Sequence, residues 1–108
     1  MSDGYGVLTY ANGDKYDGFF KKDLFSGKGS LEYLNGDGYY GDFKKDMFHG
    51  EGALYFSSGE IVDFKGIFRN NIPKNGTLTF ANEDVYKGEV NNELYPHGKG
   101  YYVFKDKE

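Results

Sequence analysis

The feature that most narrows what this chain can fold into is an internal repeat. GYGVLTYANGDKYDGFF from Gly4, GKGSLEYLNGDGYYGDF from Gly27 and GEGALYFSSGEIVDFKGIF from Gly50 align with a step of 23 residues. A period of that size outranks local signals, because a unit so short buries its apolar side only by stacking on its neighbours. A fourth unit, NGTLTFANEDVYKGEV from Asn75, and a half unit, GKGYYVF from Gly98, carry the pattern onward. The 108 residues are expected to form one domain, with units at about 4–26, 27–49, 50–73 and 74–97 and a half unit at 98–108.

Within each unit the apolar residues alternate with period two, the period of a strand. Leu and an aromatic share a face in Val7-Leu8-Thr9-Tyr10, Ser30-Leu31-Glu32-Tyr33 and Thr77-Leu78-Thr79-Phe80; Tyr16, Gly18 and Phe20 share one in the next run, as do Tyr39, Gly41 and Phe43. Between paired runs lie Ala-Asn-Gly-Asp, Leu-Asn-Gly-Asp and Ser-Ser-Gly-Glu, where Gly13, Gly36 and Gly59 supply the positive φ of a tight hairpin. The fourth unit has Glu83 at that place, so Asn82 is expected to take the left-handed conformation there. A loop of about seven residues is expected between units. Sixteen of the 17 glycines fall at repeat positions, Gly38 being the exception, which marks them as placed for geometry. The fold class is all-β: a single elongated, twisted antiparallel sheet of consecutive β-hairpins. At about 10 Å per hairpin its length should be about 45 Å.

Tyr/Phe-x-Gly-x-Phe, a loop, Gly-x-Gly and an aromatic-x-x-Gly-Asp run, from Gly4 to Phe104, resemble MORN (membrane occupation and recognition nexus) repeats. The resemblance implies a row of hairpins forming one elongated sheet with a groove, and an interaction module of cytoskeletal, ciliary or membrane-associated proteins. Units three and four depart from the pattern. Two extra residues lie between Gly59 and Phe64, Lys74 replaces a glycine, Val90 an aromatic, and Tyr95-Pro96 lengthens the last loop, so stacking should be least regular from about residue 60 to 75.

Composition excludes several chemistries. With no cysteine there is no disulfide, thiolate zinc site or cysteine nucleophile, and a cytoplasmic location is expected. A net charge of −4 argues against nucleic acid. No secretory leader is visible and no apolar run reaches the ~18 residues of a spanning helix. Met1, the immediate first repeat and the charged Lys105–Glu108 end read as a complete small protein. His49 and His97 fall two repeats apart, too far for shared catalysis or one metal. The turn acids Asp14, Asp37, Glu60 and Asp84 repeat at hairpin spacing and do not converge as calcium requires, so they read as turn residues. The glycine pairs precede no helix, which removes a phosphate loop. An enzyme, a cofactor and a metal are therefore not expected.

What remains is surface. Tyr10, Tyr33, Phe56, Phe80 and Phe104 form one file, Tyr16, Tyr39, Phe64 and Tyr86 a second, and Phe20, Phe43 and Phe68 a third. Most of these rings pack as the core of a sheet that has no second layer, and those left open form an apolar groove. The expected function is a scaffold that binds a partner helix or extended segment along that groove. Apolar pairs at Leu24-Phe25, Met47-Phe48, Ile72-Pro73 and Leu94-Tyr95 should seal each hairpin to the next. A second reading is peripheral membrane attachment: Lys21, Lys22, Lys44, Lys45 and Arg69 end successive strands and would form a basic stripe for anionic phospholipid, against the plainer role of solvated edge charges. A third, resting on the resemblance, is a regulatory module of a larger enzyme assembly. Weakly capped sheet ends also suggest a homodimer by strand pairing.

Overall fold

The computed structural model describes residues 3–105. Nine strands follow one another in the sheet in chain order: β1 (Gly4–Thr9), β2 (Lys15–Lys21), β3 (Leu24–Glu32), β4 (Gly38–Lys44), β5 (Met47–Tyr55), β6 (Ile61–Arg69), β7 (Ile72–Phe80), β8 (Val85–Val90) and β9 (Pro96–Val103). Every neighbouring pair is antiparallel, so the molecule is one open sheet of consecutive hairpins with no helix among the described residues. It measures 57 × 25 × 18 Å. It is longer than strand spacing alone predicts, because that sum counts neither turns nor any tilt of the strands against the long axis.

The connections between units are shorter than expected. The seven-residue loop does not exist: β3, β5 and β7 begin at Leu24, Met47 and Ile72, leaving the two-residue turns Lys22-Asp23, Lys45-Asp46 and Asn70-Asn71. Both residues of each turn have positive φ, between 48° and 74°, the signature of a type I′ hairpin whose twist matches the strands. In the fourth unit Glu83, not Asn82, takes the left-handed conformation, at φ 75°. The Asn82 side chain is engaged instead, its Oδ1 accepting from the Asp84 amide at 2.9 Å, as Asn12 and Asn35 do for Asp14 and Asp37. An Asx turn of this kind leaves the following residue to reverse the chain.

Between β2 and β3 the register passes from Gly18↔Gly29 directly to Phe20↔Phe25, so Ser26, Gly27 and Lys28 face Phe19 alone. The same bulge recurs between β4 and β5 and between β8 and β9. Its glycine has positive φ at Gly27, Gly50 and Gly98, which explains the first glycine of each pair. The paired glycines Gly18/Gly29 are explained by a ring. Tyr16 lies across them, and a Cβ on Gly29 would stand 2.4 Å from its hydroxyl oxygen.

Core residues come from one face: Tyr16, Tyr39, Phe64 and Tyr86 from the strand beginnings, Phe43 and Phe68 from the strand ends, with Phe25, Leu78, Val90 and Leu94. Phe25 and Phe48 stack flat on Tyr16 and Tyr39 at 3.7 and 3.8 Å, and Phe43 meets Tyr16 edge-on at 5.3 Å, linking one hairpin to the next. Each such pair adds about 0.5–1.5 kcal/mol beyond its burial. The expectation that Phe25 and Phe48 seal the hairpins therefore holds, from strand positions and not from loops.

Candidate functional site

A single-layer sheet has two faces and two long edges, and the site is built from what each leaves accessible. On the aromatic face, Tyr16, Tyr39, Phe43, Phe64, Phe68 and Tyr86 are 4 % exposed or less. These six of the twelve rings in the three files are core and cannot be touched by a partner. The structure leaves Tyr10 and Tyr33 exposed and Phe20, Phe56 and Phe80 half-buried. Tyr10, Tyr33, Phe56, Phe80 and Phe104 thus form the accessible file, one ring per repeat at the start of each hairpin turn. Leu8 and Tyr102 flank its two ends, at 40 % and 47 % exposure. Those two were not singled out from sequence, although each shares a face with the next ring of the file.

The buried tyrosines are held by more than packing. At each bulge the ladder breaks, and a main-chain carbonyl is left without its cross-strand partner. The Tyr16 hydroxyl donates to the Phe19 carbonyl at 2.7 Å, Tyr39 to Asp42 at 2.7 Å and Tyr86 to Glu89 at 2.8 Å. Burial holds the phenols of Tyr16 and Tyr39 neutral: desolvation pushes Tyr16 up to about 12 and raises Tyr39 further.

The turn acids staple neighbouring hairpins. Asp14 Oδ1 accepts from the Leu34 amide at 2.9 Å, Asp37 Oδ1 from Ser57 at 2.8 Å and Asp84 Oδ1 from Lys105 at 3.0 Å. The Ser57 amide holds the Asp37 carboxyl below its ordinary value. Glu60 joins through its main chain, its carbonyl accepting from the Ala81 amide at 2.9 Å. The opposite edge is laced the same way. The Asp46 amide donates to the Phe25 carbonyl while the Asp46 carboxylate accepts from the Phe25 amide, and Asn71 does both for Phe48. His49 belongs to this lacing, its Nδ1 accepting from the Asn70 amide at 3.3 Å. Among the described residues no group of three or more His, Asp or Glu side chains is placed to hold a metal ion.

Of the basic stripe, Lys21, Lys22, Lys44 and Lys45 come together with Leu24 and Ser26 around one cavity of about 260 Å³. Arg69 is not part of that lining. It ends β6, where the register with β7 differs from that of the earlier hairpins.

An array of this kind is a hairpin-repeat binding surface, with rigidity supplied along both edges and variation left to the faces. The chain belongs to the MORN repeat family, whose model matches residues 1–15, 16–38, 39–61 and 95–108. Such repeats are non-catalytic and serve protein or membrane interaction. No curated protein matches the chain significantly. Among the described residues no helix is long and apolar enough to cross a membrane.

Proposed function

We propose that the protein is a non-enzymatic scaffold holding a partner helix or extended segment along the file Tyr10, Tyr33, Phe56, Phe80 and Phe104. The observation that supports this is the file itself: accessible rings, one per repeat, on a face whose central rings Tyr16, Tyr39, Phe43, Phe64, Phe68 and Tyr86 are sealed. Repeats about 10 Å apart suit either kind of segment. Seven residues of a helix rise about 10.5 Å and three of an extended polyproline-type segment about 9.3 Å, and both steps return the side chain to the same side, so an apolar residue at that spacing meets one ring per repeat. The test is a partner pulldown with Tyr10→Ala/Tyr33→Ala, which leaves the buried core intact. Loss of a wild-type partner with unchanged thermal unfolding supports the reading; equal recovery by both proteins rejects it.

The four-lysine cavity favours a second reading, peripheral attachment to anionic phospholipid, because it clusters four positive charges around one opening. Flotation with anionic vesicles that is abolished by Lys44→Glu/Lys45→Glu supports it, and no flotation at low salt rejects it. Strand β9 is exposed along its whole length and has one open edge. Pairing of two such edges accounts for the proposed homodimer, which light scattering at high micromolar concentration checks.

A further inference from the structure

Gly38 is the glycine that the repeat does not explain. Lys15, Asp63 and Val85 stand at the same place, before Tyr16, Phe64 and Tyr86. Its φ is not in the left-handed region, so no turn requires it. Packing accounts for it only in part: a Cβ there would make one tight contact, 3.1 Å from the Leu31 carbonyl oxygen, that a shift of a few tenths of an ångström relieves. Beside it lies a hollow of about 410 Å³, walled by Glu32, Tyr40 and Tyr55 of the polar face and reaching the turn at Tyr33, Gly36 and Asp37.

Register fixes what surrounds it. Gly38 is directly opposite Glu32 on β3 and Tyr55 on β5. Tyr40, next on the same face of β4, completes the wall together with Ser30. Tyr40 and Tyr55 are 57 % and 44 % exposed, in contrast to the buried Tyr16, Tyr39 and Tyr86 of the other face. Asp37 at the mouth is committed to Ser57. Glu32 forms no salt bridge among the described residues, although Lys15 is its opposite neighbour on β2. One strand beyond Tyr55 stands Asp63, whose buried Oδ1 accepts no hydrogen bond from the described residues.

Two accessible phenol rings, an unpaired carboxylate and a floor of bare backbone suit a planar cation. A guanidinium stacks on aromatic faces and forks onto a carboxylate, whereas an ammonium is a compact, strongly hydrated charge that does neither as well. We propose that the Gly38 hollow is a second docking site, receiving an arginine side chain of a partner polypeptide on the face opposite the aromatic file. The net charge of −4 complements such a segment. With both sites filled, the sheet holds ligands on its two faces at once.

The test is an NMR titration of the ¹⁵N-labelled protein with the blocked tripeptides Gly-Arg-Gly, Gly-Lys-Gly and Gly-Gln-Gly. The expected result is saturable shifts with the arginine peptide, confined to the amides around residues 30–32, 38–40 and 53–55. Gly38→Lys, which restores the residue type of the first repeat, should remove them. Glu32→Gln should weaken binding roughly tenfold by removing the charged fork; it lies outside the core and carries the test alone should Gly38→Lys misfold. No saturation, an unchanged response in the folded Gly38→Lys protein, or equal binding of the lysine or glutamine peptide overturns the proposal.

Discussion

The hairpins around Tyr16 and Tyr39 and the one around Phe64 solve the same packing problem in two ways, and the difference shows which parts of the repeat belong together. In the first two, the ladder is broken by a bulge whose glycine has positive φ, and the carbonyl stranded there is taken by the tyrosine hydroxyl. In the third, Ile67 stays paired with Asn75 and only Lys74 is extruded. Ile67, at the place of Phe19 and Asp42, thus keeps a cross-strand partner, and the ring of this hairpin is Phe64. Pro73 takes the place across from Phe68 that Phe25 and Phe48 hold across from Phe20 and Phe43. Tyrosine and bulge glycine are thus one coupled device, lost together at Phe64 and kept together at Tyr86 and Gly98, where Pro96 and not an aromatic stands across from Val90. The stretch from 62 to 94 that the family model does not match begins with this altered hairpin.

The largest effect should come from removing a ring of the device. Tyr39→Ala deletes contacts to Phe43, Phe48 and Phe68 and should cost about 3–5 kcal/mol, read as a fall in the urea midpoint. Gly52→Ala should follow at about 1–3 kcal/mol, since its Cβ would stand 2.2 Å from the Tyr39 hydroxyl oxygen. Gly59→Ala, with nothing within 4 Å but φ +100°, should cost only the backbone strain of about 1 kcal/mol. A Gly52→Ala protein as stable as Gly59→Ala would break the claim that the ring positions the glycine.

The comparison sharpens most when the two rings are exchanged. Tyr39→Phe leaves the Asp42 carbonyl unserved, and Phe64→Tyr buries a hydroxyl where the neighbouring strand residue, Ile67, keeps its cross-strand partner. Each should destabilise by about 1–2 kcal/mol, although one removes an oxygen and the other adds one. Stabilisation by Phe64→Tyr would show that the third hairpin is merely a degraded copy.

The smallest effect is alkaline. The folded state raises Tyr16 from 10.0 to about 12 by burial. Its contribution is complete below pH 10 and declines as pH rises through 12, because the unfolded chain ionises first. Thermal unfolding should therefore weaken between pH 10 and 12. Tyr16→Phe should flatten that limb, whereas Phe64→Ala, which removes no phenol, should lower stability without changing the slope.

Periodicity made the hairpins, their order and the aromatic face legible in the sequence, because period-two alternation and Asn-Gly turns are local chemistry. Inter-unit turns were misjudged for the same reason. Lys22-Asp23 carries no glycine, and its left-handed pair is imposed by the twist of the strands on either side. The candidate site was legible only in part. Sequence grouped twelve rings on one face, but which of them stay open depends on the bulge that lets Phe25 and Phe48 fold back onto Tyr16 and Tyr39, a register effect with no sequence mark except Gly27 and Gly50.

By itself the sequence determined that this protein is an open hairpin array with one apolar face, since period-two alternation and a tight turn in each 23-residue unit place its rings on one side of consecutive hairpins. Tertiary structure alone decided the rest. Cross-strand register sealed Tyr16 and Tyr39 while leaving Tyr10 and Tyr33 open, drew four lysines of two turns around one cavity, and set Glu32 and Tyr55 on either side of a missing side chain. Residues more than 15 positions apart become neighbours only when strands pair.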